Sequence, residues 1–300
     1  MADKSPPLDA LFREAVAAID AGDVSTLERL IAEHPRLVRD RLKSPGAWLS
    51  DKVGRALKGF FKNPYLLWFV AEDPGRNGTL PPSIAQIAST IVLAARRESA
   101  QNLQEQLDYA LRLVSWSGVA AECGVQLALI DVLVDAGASP DGAADNALVN
   151  GHFAAAEHLL ARGARVTLST ALLLGRWDDV SRLADAADVK EKQSAFVLAA
   201  LNGKDEALRR MIALGVDVNR PSTDLYSHAT PLHHAVWSGS LEAVKVLVEA
   251  GASLSARDKA EKATPRGWAE YARGEHPTDA RSKRYAEIAA YLRERESRFD

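Results

Sequence analysis

Apolar residues recur along the chain at a fixed spacing after certain glycines. In three copies, the positions two, five, eight and nine residues after the glycine read Val24, Leu27, Leu30 and Ile31, then Phe153, Ala156, Leu159 and Leu160, and then Leu241, Val244, Leu247 and Val248. These offsets fall on one face of a helix. A copy with one extra residue after Gly124 puts Leu127, Ile130, Leu133 and Val134 on one face. The pattern predicts a series of short helices, each of which buries one face.

Further glycines mark where these helices end. They stand twelve residues apart in the pairs Gly151 and Gly163, Gly203 and Gly215, and Gly239 and Gly251. A glycine after a helix can adopt a left-handed conformation that costs other residues about 1 kcal/mol. Upstream of Gly239, Thr230 can cap a first helix that begins at Pro231, where the missing N–H does no harm. Each unit therefore reads as a pair of short helices joined by tight turns.

A six-residue motif in the last third of the chain indicates the family. Residues 230–235 read Thr-Pro-Leu-His-His-Ala, and residues 264–269, which begin thirty-four positions later, keep the Thr-Pro and the Ala. The sequence resembles the ankyrin repeat, whose first helix reads T-P-L-H-x-A and whose period is about 33 residues. The resemblance implies an all-α, ankyrin-type helical repeat solenoid of about eight helix-pair units with short turns. We expect these units to begin near Leu8, Pro64, Leu107, Gly142, Val166, Ser194, Thr230 and Thr264.

The repeats divide the chain into five expected segments. These are an N-terminal capping repeat at 1–43, an amphipathic insertion at 44–63, divergent repeats at 64–141, ankyrin repeats at 142–263 and a C-terminal capping repeat at 264–300. In the insertion we predict one helix, capped by Ser50, with Val53, Leu57, Phe60 and Phe61 on its apolar face. We also predict a first helix at 65–71, and after a long loop at 73–82 a second helix that carries Ile84, Ile87 and Ile91.

Composition excludes several classes of protein. The 300 residues are 47% hydrophobic and 26% charged, with a net charge of -3, which rules out whole-chain disorder and offers no overall field for nucleic acid. The single cysteine excludes an internal disulfide and indicates a reducing compartment. Apolar runs are too short for a transmembrane helix, and the N-terminal region lacks the apolar core of a signal peptide. We expect a cytoplasmic monomer, and the loosely matched repeats resemble those of bacterial ankyrin proteins.

Signatures of catalysis are absent from the sequence. The seven histidines lack metal-ligand spacing, and the glycine-rich nucleotide and hydrolase motifs do not occur. For His233, the ankyrin resemblance implies a structural role, in which its ring bridges turns by hydrogen bonds. Cys123 has no histidine base assigned to it, so we interpret it as a small packing residue. Asp178 and Asp179 begin a second helix, where they complement the helix dipole. We therefore expect no catalytic residue, no cofactor and no metal, and hence no enzyme.

The resemblance to ankyrin proteins also implies a function. Their ligands usually lie along the concave side, on the tips of the turns and the exposed face of the first helices. Carried over to this sequence, those positions are Tyr226, Ser227, Trp237 and Ser238 in one unit, and Glu261 and Tyr271 in the next. Tyrosine and tryptophan are typical binding anchors. We expect a non-catalytic scaffold that binds an as yet unidentified partner protein or peptide, although packing of Trp237 against a neighbouring repeat is an equal alternative.

Two other functions stay open at this point. A small-molecule-responsive regulatory protein would have a pocket under the 73–82 loop, beside Trp68. The basic 52–62 segment offers association with an anionic membrane surface, because basic amphipathic helices bind such surfaces. A lid over the joint between the first two units accounts for the same segment without any lipid.

Overall fold

A computed structural model describes residues 6–224, 226–275 and 280–297 of the chain. Within these ranges the regular structure is helical and no strand occurs. The chain divides into two compact units, Met1–Arg165 and Val166–Asp300. The predicted all-α class is therefore confirmed.

The first unit contains ten α-helices and two 3-10 helices in its described part. They are α1 (Leu8–Ala21), α2 (Val24–Glu33), α3 (Arg36–Arg39), α4 (Ala47–Val53), a 3-10 helix (Ala56–Lys58), a second 3-10 helix (Leu66–Ala71), α5 (Ile84–Arg97), α6 (Leu103–Trp116), α7 (Gly118–Glu122), α8 (Gln126–Asp135), α9 (Ala143–Val149) and α10 (Phe153–Ala161).

Four helix pairs stack to form the first unit. The first helices of the pairs are α1, the 3-10 helix Leu66–Ala71, α6 and α9, and each contacts the next one along the stack. Their partners α2, α5, α8 and α10 form the second layer in the same order. The core between the layers is apolar and includes a packed aromatic pair, Phe61 and Phe69, whose ring centroids are 5.2 Å apart. Because each pair buries its apolar face against its neighbours, stability is shared along the stack.

The second unit also contains four helix pairs in its described part. They are α11 (Leu168–Leu173) with α12 (Trp177–Ala186), α13 (Val189–Leu201) with α14 (Asp205–Ala213), α15 (Pro231–Ser238) with α16 (Leu241–Glu249), and α17 (Pro265–Glu275) with α18 (Ala280–Glu296). The first helices α11, α13, α15 and α17 pack in sequence, and α14, α16 and α18 do the same. The eight described pairs of the two units agree with the predicted number.

Local sequence accounts for the helix ends in the second unit. Thr230 caps α15, Pro231 occupies its first position, and Gly239 follows it with a φ of 72°. Capping boxes also begin α11 at Thr167 and α13 at Asp188. These side chains satisfy backbone N–H groups that lack a helical partner. The predicted caps and glycine turns around α15 are thus confirmed.

The predicted single helix in the insertion is wrong. The segment forms α4, which ends at Val53, and a short 3-10 turn that ends at Lys58, so Ser50 lies inside a helix and caps nothing. Phe61 is buried, whereas Phe60 is 52% exposed, so the two rings do not share a face. Gly54 and Gly59 follow the two short helices, as expected from the low helix propensity of glycine.

Other boundaries also differ from the sequence prediction. Residues 66–71 form a 3-10 helix, where an α-helix was predicted, and α6 and α13 begin at Leu103 and Val189, a few residues before the predicted starts. Leu127 is 39% exposed, while Leu129 takes the buried position on α8. The predicted helix containing Ile84, Ile87 and Ile91 is confirmed, with all three side chains buried.

A buried ion pair holds the long loop that follows the second 3-10 helix. The Glu72 carboxylate accepts hydrogen bonds from the backbone N–H groups of Arg76, Asn77 and Gly78. The Arg76 guanidinium lies 2.9 Å from Glu72 and 2.7 Å from Asp20 of α1. Such charge-assisted bonds compensate for the loss of water around both charges. The loop is therefore anchored to the first unit.

Candidate partner-binding surface

Two large aromatic side chains lie exposed on neighbouring helices of the second unit. Trp237 of α15 is 49% exposed and Tyr271 of α17 is 63% exposed. The Trp237 ring meets the ring of Trp268 edge to face, with 6.1 Å between centroids. Trp237 therefore rests on the unit with one side and presents the other to solvent, which combines the two alternatives left open by its sequence position.

The backbone that carries Trp237 is held at both ends of α15. Thr230 caps the beginning of the helix, and the Tyr285 hydroxyl of α18 donates a hydrogen bond of 2.9 Å to the Trp237 carbonyl. Gly239 follows in the left-handed conformation. The tryptophan is thus displayed from a helix whose position is fixed by its own cap and by α18.

Histidine rings pack against the Trp268 ring that supports Trp237. The ring centroids of His228, His233 and His234 lie 5.9, 5.1 and 6.0 Å from that of Trp268. His233 accepts a hydrogen bond from the Thr230 hydroxyl at 2.8 Å and donates one to the Ala263 carbonyl at 3.1 Å. This bridge between turns is the structural role that the ankyrin resemblance implies for His233.

Burial keeps two of these rings in the neutral form. It lowers the pKa of His234 to about 4 and also lowers the pKa of His233, because desolvation penalises the imidazolium. The neutral His234 ring donates a hydrogen bond of 3.2 Å to the Tyr226 carbonyl. The His233 and His234 rings that support the aromatic surface are therefore uncharged at neutral pH.

Asp258, which the sequence analysis missed, organises the turn before α17. Its buried carboxylate accepts hydrogen bonds from the backbone N–H groups of Ala260, Glu261 and Ala263 and from the indole N–H of Trp268. Burial alone would raise the pKa of Asp258, but these hydrogen bonds lower it to about 2. Asp258 therefore connects the turn that carries Glu261 to Trp268 by hydrogen bonds.

The other predicted positions differ in how available they are. Tyr226 is half-buried, with its ring centroid 5.7 Å from that of His234, and Ser227 is half-buried beside it. The Ser238 hydroxyl donates to the Ala235 carbonyl at 2.7 Å and accepts from the Ser240 N–H at 3.2 Å, so it mainly stabilises the turn after α15. Glu261 is exposed. Trp237, Tyr271 and Glu261 are thus the most accessible members of the predicted set.

Three other tryptophans differ in how deeply they are buried. Trp68 is 4% exposed in the first unit. Trp177 and Trp268 are half-buried, and the guanidinium of Arg210 lies 4.2 Å from the Trp177 ring centroid.

Cys123 follows α7 as a half-buried free thiol, and its sulfur accepts a hydrogen bond of 3.4 Å from the Leu80 N–H. In the described ranges, histidine, cysteine and acidic side chains form no group of three suited to a metal ion.

Comparison with known proteins agrees with the repeat geometry. The family model described as ankyrin repeats (three copies) matches residues 168–258. Residues 168–258 carry ankyrin repeats. The matched ankyrin segment runs from α11 through α16 to Asp258, so it contains Trp237 and ends before Tyr271.

Solved structures and curated sequences give less information. The crystal structure of the human ASB11 ankyrin repeat domain is 19% identical to this chain, with a TM-score of 0.33, and the alignment covers 68% of this chain and 96% of that domain. No curated protein matches the sequence significantly. Among the helices that the structure describes, none has the length and apolar character needed to cross a membrane.

Proposed function

We propose that this ankyrin repeat protein is a non-catalytic scaffold that binds a partner protein or peptide through the surface around Trp237 and Tyr271. Ankyrin repeats are generally protein–protein interaction modules. The observation that carries the proposal is the pair of large aromatic side chains exposed on two helices that pack together, because such side chains are typical anchors of binding surfaces. The proposed surface also includes Tyr226, Ser227, Ser238 and Glu261. The cytoplasmic location and monomeric state expected from the sequence belong to the same proposal.

Preorganisation supports this function physically. Trp237 rests on Trp268, which Asp258 orients through a hydrogen bond of 3.0 Å, and Tyr285 fixes the Trp237 backbone. A surface that is ordered before binding loses little conformational entropy on association. Aromatic anchors on such a support can then supply a large part of the affinity.

The proposal is tested by removing both rings. We expect Trp237→Ala with Tyr271→Ala to weaken binding of the partner by about 2 kcal/mol or more. The partner is first captured from lysate with the wild-type chain, and the affinity of the purified pair is then measured by calorimetry. Because both side chains are largely exposed, we expect the double variant to stay folded.

The matched control is Val189→Ala with Leu214→Ala, which removes two other exposed apolar side chains of the same unit. This variant should bind the partner like the wild type. Equal affinity of the wild type and the aromatic variant would contradict the proposed surface. A partner lost equally by both double variants would point to general apolar adhesion and would also contradict it.

A further inference from the structure

A cavity of about 320 Å³ opens on the first unit, away from any residue discussed above as partner-binding. Its lining includes three aromatic rings, two opposite charges and one amide, namely Phe60, Tyr109, Trp116, Asp73, Arg112 and Asn146. Four separate parts of the chain contribute these residues: the insertion, the loop after the second 3-10 helix, α6 and α9. The site therefore lies at the start of the 73–82 loop.

The aromatic walls are held in place by contacts outside the cavity. Tyr109 packs against Trp68 with 4.3 Å between ring centroids, and its hydroxyl donates a hydrogen bond to the Phe60 carbonyl. The Trp116 carbonyl accepts a hydrogen bond of 2.8 Å from the Asn150 amide. These contacts join α6 to the insertion and to the residue after α9. The cavity is thus a shaped site with walls that are positioned before any ligand arrives.

Neither charge of the cavity has a hydrogen-bond or ion-pair partner within the described ranges. The half-buried Asp73 carboxylate accepts no hydrogen bond and forms no ion pair with any residue there. The exposed Arg112 guanidinium lies 5.2 Å from the Tyr109 ring centroid and likewise forms no ion pair with a described residue, Asp73 included. Both charges nonetheless act on the Tyr109 hydroxyl, whose pKa is raised by burial, lowered by Arg112 and raised by Asp73. Both residues line the same cavity, and no ion pair joins them.

The combination of groups restricts the class of ligand. A lone cation attracted by Asp73 and the aromatic faces would be repelled by Arg112, and a lone anion would be repelled by Asp73. An uncharged apolar molecule would remove water from both charges and would supply no polar group in place of that water. A molecule with one charge of each sign and an apolar body satisfies all three requirements. We propose that the cavity binds a free α-amino acid with a large apolar side chain, its ammonium on Asp73, its carboxylate on Arg112 and its side chain among the rings.

The experiment measures binding to the full chain by isothermal titration calorimetry near pH 7.5, where the ligand is a zwitterion. The probes are L-phenylalanine, L-tryptophan and L-leucine, each up to about 10 mM, a range that detects weak binding. L-phenylalaninamide lacks the carboxylate, and N-acetyl-L-phenylalanine lacks the ammonium. We expect each of these two analogues to bind about tenfold or more weakly than L-phenylalanine, which corresponds to the loss of one charge-assisted contact.

Variants assign each end of the ligand to a residue. Asp73→Asn should weaken L-phenylalanine binding about tenfold but should not weaken binding of the anionic N-acetyl analogue, which Asp73 repels. Arg112→Gln should likewise weaken L-phenylalanine binding about tenfold but should not weaken binding of the cationic amide, which Arg112 repels. Asp51→Asn and Arg55→Gln change exposed charges of the same unit that do not line the cavity, and these variants should bind like the wild type.

Three results would each overturn the proposal. They are the absence of binding by all three amino acids, affinities for the two analogues equal to that for L-phenylalanine, and binding that survives both Asp73→Asn and Arg112→Gln. A ligand in the first unit does not depend on the partner surface of the second unit. Failure of this proposal therefore leaves the proposed scaffold function standing, and the reverse also holds.

Discussion

At the residue scale, burial shifts the pKa values of Asp73 and His234 by the same physical cause. Desolvation disfavours the charged form of each, so it raises the pKa of the Asp73 carboxyl to about 6 and lowers that of the His234 ring to about 4. The hydrogen bond that His234 donates to the Tyr226 carbonyl offsets part of the cost of burying its ring. Asp73 has no such partner among the described residues, so its ionised form costs stability.

We predict that Asp73→Asn stabilises the protein at neutral pH. The folded protein binds the Asp73 proton more tightly than the unfolded chain, so stability falls as pH rises from about 4 to about 6. Among neighbouring groups, the Tyr109 hydroxyl has its pKa lowered by Arg112 and raised by Asp73. After allowance for solvent screening of a half-buried group, we expect the variant to gain about 1 kcal/mol at pH 7.

Urea denaturation of wild type and Asp73→Asn at pH 7 and near pH 3.5 measures this effect. The difference in the free energy of unfolding should disappear at the lower pH, where the wild-type carboxyl is protonated. A variant that is less stable than the wild type at pH 7 would show that a group in the protein stabilises the Asp73 carboxylate, contrary to our reading of the cavity. A stabilised variant would also exclude unfolding as the reason for any loss of ligand binding.

At the scale of elements, the glycines after the helices differ in what surrounds them. Gly203 and Gly251 follow α13 and α16, with φ values of 62° and 89°. A Cβ atom at Gly251 would meet no atom within 4 Å, whereas one at Gly203 would lie 2.7 Å from the Cβ of Ser240. The sequence shows the same kind of turn at both places, and only packing distinguishes them.

Substitution by alanine should therefore cost more at Gly203 than at Gly251. We expect Gly251→Ala to lose about 1 kcal/mol, which is the strain of a left-handed residue with a side chain. Gly203→Ala should lose at least about 1 kcal/mol more, because the turn or Ser240 must also move. Thermal or urea denaturation of the two variants measures the difference. Equal losses would mean that the contact with Ser240 is relieved without cost.

At the scale of the whole molecule, the two units should respond to acid in opposite ways. The first unit contains Asp73, whose raised pKa makes the fold more stable as pH falls through about 6. The second unit contains His234, whose folded pKa of about 4 lies below the ordinary value of 6.5. The contribution of His234 to stability is present above pH 6.5 and is lost as pH falls towards 4, because in this range the ring binds a proton more readily in the unfolded chain than in the folded protein.

Hydrogen exchange followed by mass spectrometry can test this for each unit in the intact chain. Between pH 7 and pH 5, with rates corrected for intrinsic exchange, we expect protection to fall in the second unit and to hold or rise in the first. His234→Gln keeps a donor for the Tyr226 carbonyl but does not titrate, so it should reduce the fall in the second unit. An equal fall in both units, with no effect of this substitution, would contradict the prediction.

The two candidate sites show which features could be predicted from the sequence and which could not. The ankyrin motif placed Trp237 on the first helix of its unit and gave His233 its bridging role, since both follow from the period of the repeat and the local cap. It did not reveal Asp258, because that aspartate acts through backbone groups of a turn and through Trp268. A pocket beside Trp68 was one of the open alternatives, but the charges in its lining were not foreseen.

By itself, the sequence determined the helical class, the pairing of short helices, their glycine turns and the cap of α15. Each of these depends on a few consecutive residues, whose hydrogen bonds and backbone angles are local. Only the tertiary structure decided that Phe61 is buried while Phe60 lines a cavity, that Trp237 is half exposed, and that Asp73, Tyr109 and Arg112 line the same cavity. Burial and charge environment depend on segments distant in the chain, and packing brings those segments together.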